Sequence, residues 1–243
     1  MIGTLINVIA ILAGGLIGVI AGNRLPERVQ GIVLAGLGLM TAVIGVSMAI
    51  TSANILIPLF SVLAGGIAGE LLGIDAALNR FGRWLEDRYG AQLGQGKVAG
   101  WSVTRGFVTA SLVFCVGPMT ILGSIQDGLL GDYQLLAIKS MLDGFAAIAF
   151  AASLGPGVLV SIVTVIVVQG GLSGAAMLLG SGAGEVTRAT PWVVEVTATG
   201  GVLILGISLI LLDLKQVRVA NLLPAILIAP LIVLLLQAFR IGF

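Results

Sequence analysis

Two stretches of this chain, 29–69 and 144–184, each run for 41 residues without a charged side chain. Shorter charge-free stretches cover 1–23, 106–126, 196–212 and 219–239. Only 9% of the 243 residues are charged and 58% are hydrophobic, against about 25% charged in a soluble domain. So few charges cannot cover a water-facing surface, and an integral membrane protein is expected. The net charge of +1 gives nucleic acid no basic surface to bind. Histidine is absent, which excludes Ser-His catalysis and His-held metal or haem. The single Cys115 cannot form an intrachain disulfide.

A spanning helix needs about 20 apolar residues, so each long stretch must contain a turn. Thr51-Ser52-Ala53-Asn54 breaks the first, and Gly155-Pro156-Gly157 breaks the second. The expected fold is all-α: a polytopic transmembrane helix bundle of about eight spans, forming one transmembrane domain over 1–243. The spans fall near 2–22, 32–50, 55–73, 106–125, 134–154, 158–180, 193–212 and 220–240. No removable signal peptide is expected, because the first apolar segment is full-length and lacks a basic leader. Residues 74–105 form the long polar connection. Within it, Ile74, Leu78, Phe81 and Leu85 recur at helical spacing, with Arg80, Arg83, Asp87 and Arg88 elsewhere on the wheel. That pattern predicts an amphipathic helix lying in the membrane interface.

Orientation follows the basic residues. An outside amino terminus puts Arg24, Arg28, Arg80, Arg83, Arg88, Lys97, Arg105, Lys215 and Arg218 inside, and leaves only Arg188 and Arg240 outside. Both termini are therefore expected outside, with 74–105 cytoplasmic. Trp84, Tyr89, Trp101, Tyr133 and Trp192 stand at or beyond span ends, where amphipathic rings prefer the headgroup layer.

Thirty-six glycines are about twice the usual share of 7%. Leu12-Ala13-Gly14-Gly15, Gly18 and Gly22 recur as Leu63-Ala64-Gly65-Gly66, Gly69 and Gly73. Glycines spaced by four let helix backbones approach closely. A second similarity places Gly45 before Asn54-Ile55-Leu56-Ile57-Pro58 and Gly206 before Asn221-Leu222-Leu223-Pro224. These two pairs of spans run in opposite senses, so if the similarity is a true repeat it is an inverted one, a common plan in secondary transporters.

The middle of the chain puts polar groups where lipid should be. Gly117-Pro118 interrupts the fourth span, and Pro118 frees the carbonyl four residues back. It reads either as a discontinuous helix lining a solute site or as a packing kink. Lys139 and Asp143 stand one turn apart in the fifth span, with Asp143 roughly 14 Å deep at 1.5 Å per residue. A charge at that depth costs about 2.5–3.5 kcal/mol. The pair reads either as part of a solute pathway or as a structural ion pair. Gln169, mid-way along the sixth span, is placed to face Asp143. Ser124 and Gln126 would add neutral polar groups. Asp127 and Asp132 flank a short outer loop, where they either attract a cation or are simply solvated.

One run resembles the signature of a bacterial inner-membrane family, the YdfK/YqgA type, known as domain-of-unknown-function family 554. The residues that carry it are Gly123-Ser124-Ile125-Gln126-Asp127-Gly128, Gly131-Asp132, Lys139-Ser140, Leu142-Asp143-Gly144, Gly155, Gly157-Val158 and Gln169-Gly170. Gly3-Thr4 with Asn7, and Asn221-Leu222-Leu223-Pro224, are also similar. The resemblance implies a multi-pass protein of the bacterial inner membrane, of a family of unknown function whose members are labelled only as candidate transporters.

The leading functional expectation is a secondary transporter of a small solute or ion, with Asp143, Lys139, Gln169, Gln126, Asp127, Ser124, Gly117 and Pro118 along its pathway. A channel-like pore is the alternative, and a non-catalytic membrane scaffold the third reading. No phosphate-binding G-x-x-x-x-G-K-[ST] loop is present, and no enzyme activity, cofactor or bound metal is expected. The expected partners are the lipid bilayer and a small solute or ion, with a homo-oligomer left open and nucleic acid excluded.

Overall fold

A computed structural model describes residues 1–22, 26–89, 101–115, 118–179 and 189–239. All regular structure among the described residues is helical. The apolar stretches become helices because a helix satisfies its own backbone where water is absent. The helices are α1 (Ile2–Gly22), α2 (Glu27–Ala49), α3 (Leu56–Leu72), α4 (Ile74–Tyr89), α5 (Val103–Cys115), α6 (Pro118–Leu129), α7 (Gln134–Leu154), α8 (Gly157–Val165), α9 (Gly171–Leu179), α10 (Pro191–Leu211) and α11 (Ala225–Ala238). A π-helical turn, Ile166–Gly170, joins α8 to α9, and a 3-10 turn, Val219–Leu222, precedes α11.

Five helices are long and apolar enough to cross a membrane, with α8, the π-turn and part of α9 counted as one. Two bent pairs raise the number to seven. In the first, α3 and the start of α4 diverge by 55° at Gly73, whose φ of +63° is a left-handed helix cap. In the second, α5 and α6 diverge by 62°. The eighth expected span corresponds to α2, where Ala35–Ala49 is a shorter apolar helix. The break at 51–54 separates α2 from α3, and Gly155 ends α7 with φ +89° and ψ −169°, a conformation in effect reserved for glycine.

The chain divides into two compact units. The first holds Met1–Leu34 and Asn79–Val186, and α1 on α7 is its most extensive packing. A side chain at Gly14, Gly18 or Gly22 would strike the backbone of Gly144, Ile148 or Ala152. The numbers rise together, so α1 and α7 run parallel. Helices α5 and α8 are parallel too: Gly106 abuts Val158, and Ser111 and Thr164 share a hydroxyl hydrogen bond of 2.9 Å. Phe114 and Phe150 pack with ring centroids 6.2 Å apart. On α4, Arg80, Arg83, Asp87 and Arg88 are exposed, and Phe81 meets Trp84 and Phe107 with centroids at 5.9 and 5.6 Å. Trp101, expected at a membrane surface, is instead buried, its indole donating to the Ala152 carbonyl at 3.3 Å.

The second unit holds Ala35–Leu78 and Thr187–Phe243. Here Gly65 abuts Ala225 and Gly69 abuts Asn221, while Gly38 abuts Leu212 and Gly45 abuts Leu205. In both sets one number rises as the other falls, so α3 runs antiparallel to the 3-10 turn and α11, and α2 antiparallel to α10. Its core is built on α10 with Leu203, Ile207 and Leu211, joined by Val219, Ala225, Ala229 and Val233. Within each unit, every one of these directions agrees with strict alternation over eight spans.

Candidate functional site

The buried face of α1 is Gly3, Thr4, Asn7, Ile11, Gly14, Gly15, Gly18 and Gly22. These residues recur at three- and four-residue steps, so they form one stripe. The glycines bring α1 against α7, and Asn7 is the largest polar group on the stripe. The opposing face of α7 buries Leu136, Lys139, Ser140, Asp143, Ala147 and Phe150 at the same periodicity.

Lys139 and Asp143 form an ion pair within α7, Lys139 Nζ against Asp143 Oδ2. Asn7 Nδ2 donates to that same Oδ2 at 3.0 Å and to Gln169 Oε1 at 2.9 Å. One amide nitrogen therefore ties together α1, α7 and the π-turn. A carboxylate only accepts, so Asn7 must point its NH2 group at Asp143 and hold its own oxygen away. Gln169 must likewise offer its oxygen to Asn7 and hold its NH2 group away. Asn7 Oδ1 and Gln169 Nε2 are both buried and have no hydrogen-bond partner. Neither contact to Asp143 uses Oδ1. Asp143 is the tenth of 21 residues in α7, and Asn7 the sixth of 21 in α1.

The backbone is irregular on two sides of this cluster. Gln169 belongs to the π-turn, a wider helical turn often found at functional sites. Cys115 is the last residue of α5. At the break after it, the carbonyl that Pro118 releases is that of Phe114. Thr120 Oγ1 donates to this carbonyl at 3.1 Å, so the freed group is satisfied from within the chain.

The expected pathway residues are distributed unevenly around this cluster. Lys139, Asp143 and Gln169 share it. Ser124 is fully buried on α6, and its hydroxyl has no partner. Gln126 is half-buried and supplies none of the cluster's hydrogen bonds. Asp127 lies within the last turn of α6, not in a loop, and is 3% exposed. Its carboxylate accepts from the Met1 amino group at 3.0 Å and the Gly3 N–H at 3.2 Å, a favourable place for negative charge at the start of α1. Asp132 is exposed and accepts from Gln134 N at 3.0 Å, capping α7. Pro118 opens α6. Gly117 lies outside the described residues, as do Arg24, Lys97, Glu185, Arg188 and Arg240. Among the described residues, no group of three or more Cys, Asp or Glu side chains is arranged to hold a metal ion.

Two polar clusters in the second unit have no counterpart in the sequence expectations. Glu195 on α10 is fully buried and accepts from Ser52 Oγ at 2.7 Å, Ala53 N at 2.9 Å and Asn54 N at 3.3 Å. It holds the turn between α2 and α3. Glu70 on α3 accepts from Arg218 and from Asn221 Nδ2 at 2.7 Å, and Asn221 Oδ1 in turn accepts from Asp75 N at 2.7 Å.

A family model described as protein of unknown function (DUF554) matches residues 2–234. This chain belongs to the DUF554 family. Among its relatives is a protein named "Uncharacterized membrane protein YdfK" from Bacillus subtilis (strain 168), 29% identical with all of both chains covered. Another is "Uncharacterized protein YqgA" from Escherichia coli (strain K12), 31% identical over 94% of each chain. No solved structure matches. Membership and fold together make this chain a multi-pass helical membrane protein.

Proposed function

We propose that this protein is a secondary transporter of a small solute or ion in the bacterial inner membrane, with both termini outside and no enzymatic activity. One observation carries the reading: the buried cluster of Asn7, Lys139, Asp143 and Gln169 within apolar helices. Apolar residues would fill those positions at no electrostatic cost, whereas an intramembrane ionisable pair marks a pathway by default. The bend between α5 and α6 and the π-turn support it, because transporters place interrupted helices around their sites. The placement of Ala35–Ala49 of α2 with α3, α10 and α11 in one unit is compatible with an inverted repeat, and the excess of basic residues in the inner loops supports the orientation.

The test is solute uptake into proteoliposomes, driven by an imposed gradient. Wild type should show saturable uptake, and a folded Lys139→Met/Asp143→Leu variant should show none. Full uptake by that variant would reduce the pair to a packing element and remove the reading.

A further inference from the structure

Resting on the transporter reading, we propose that the solute is a small zwitterion of the amino-acid class, whose ammonium and carboxylate groups part the Lys139–Asp143 pair. The cluster has two halves of opposite character. Lys139 and the unpartnered Gln169 Nε2 are donors. Asp143, with Oδ1 used by neither neighbour, and the unpartnered Asn7 Oδ1 are acceptors. Asn7 and Gln169 are both fully buried, so each orphan atom is a standing desolvation cost that a ligand of the right polarity removes. A carboxylate fits the first half and an ammonium the second.

Charge balance selects between ligand classes. The cluster is neutral as it stands, with one ammonium and one carboxylate. A bare cation at Asp143 would share one carboxylate with Lys139 and leave a net positive charge away from water. It would also leave the Gln169 NH2 group unused. A bare anion at Lys139 gives the mirror problem, with Asn7 Oδ1 unused. A zwitterion brings both signs, keeps the site neutral, and engages both orphan atoms and both charges. The exchange replaces one ion pair with two, which offsets the desolvation of the ligand.

The experiment uses the full chain purified in detergent and follows its melting temperature. Probes are glycine, L-alanine, L-serine, β-alanine and glycine betaine, with methylammonium chloride, sodium acetate, sodium chloride and potassium chloride as half-molecules and bare ions. A ligand that binds only the folded state raises the melting temperature by mass action. The primary-amine zwitterions should raise it, and the half-molecules and salts should not. Glycine betaine, which has no N–H to offer Asn7 Oδ1, should bind at least about tenfold more weakly than glycine, the worth of one lost charge-assisted hydrogen bond. Gln169→Glu keeps an oxygen for Asn7 but replaces the donor with a negative group. In that variant the zwitterion shift should vanish and a methylammonium shift should appear, and that gain distinguishes lost recognition from lost folding.

Stabilisation by methylammonium, acetate or a salt as strong as that by glycine or alanine would overturn the ligand class and leave the transporter reading standing. No shift from any zwitterion would overturn the class as well. Zwitterion binding without exchange of labelled alanine in proteoliposomes would keep the class and overturn transport.

Discussion

Asp143→Asn removes the charge that Lys139 faces and strands a buried ammonium. Melting of the purified variant should show a loss of about 3–5 kcal/mol, and Lys139→Met/Asp143→Leu should recover most of it. If Asp143→Asn melts with wild type, the pair is solvated rather than buried. Glu195→Ala strips an acceptor from Ser52 Oγ, Ala53 N and Asn54 N. With hydrogen bonds to charged groups worth about 1.5–3 kcal/mol each, it should lower the melting temperature. It should also expose the 51–54 turn to protease before global unfolding, whereas an unchanged cleavage pattern would show that the turn holds itself. The two charges of the main cluster were legible in the sequence because charge in an apolar segment stands out. Asn7 stands out less, since asparagine carries no charge, although it shares the stripe set by Gly14, Gly18 and Gly22. Reading that stripe as a face, rather than as a glycine motif, is the signal that reaches it. The partners of Glu195 lie more than 140 residues away in sequence, a distance no local pattern reports.

Helix boundaries followed the breakers: Thr51–Asn54, Gly155-Pro156-Gly157 and the proline that opens α6 all fall at helix ends. What no local pattern announces is the π-turn. Ile166–Gly170 is apolar apart from Gln169, so nothing in its residues sets it apart from the helices on either side. Asp127 was misplaced for a related reason. Its aspartate and Gly128 suggest a loop, but α6 runs on to Leu129, with Gly128 against the Ser173 carbonyl. The glycine stripes make a sharper forecast. At Gly18 an added side chain meets the Ile148 carbonyl, and at Gly69 the Asn221 carbonyl, backbone that cannot step aside. Gly18→Leu and Gly69→Leu should each reduce folded yield or lower the melting temperature far more than Val19→Leu, whose position is only half-buried. Equal behaviour of the three in size-exclusion profiles and melting would mean that these faces point at lipid.

Across the whole molecule, the pairing directions constrain the count of crossings. Parallel neighbours such as α1 and α7 must have an odd number of passes between them, and antiparallel α2 and α10 an even number. Adding or removing one crossing between either pair would break its direction. The orientation itself makes a labelling forecast. In a Cys115→Ser background, a cysteine at Asp132 should react with an impermeant maleimide on intact cells, and one at Lys97 only after permeabilisation. Reaction at 97 from outside would invert the topology and with it every inside residue assigned from the basic bias.

The parallel pairing of α1 with α7 also carries a consequence in time. The partner of the first helix ends at Leu154, so α1 leaves the ribosome long before the surface it fits has been made. At about 5–20 residues per second, translating the intervening chain takes roughly 7–26 s. For that interval the Asn7 amide and a groove of bare backbone face lipid or the insertion machinery. Biogenesis of this protein is therefore a waiting problem: its amino-terminal helix must be held, unpaired and undegraded, until the fifth crossing arrives.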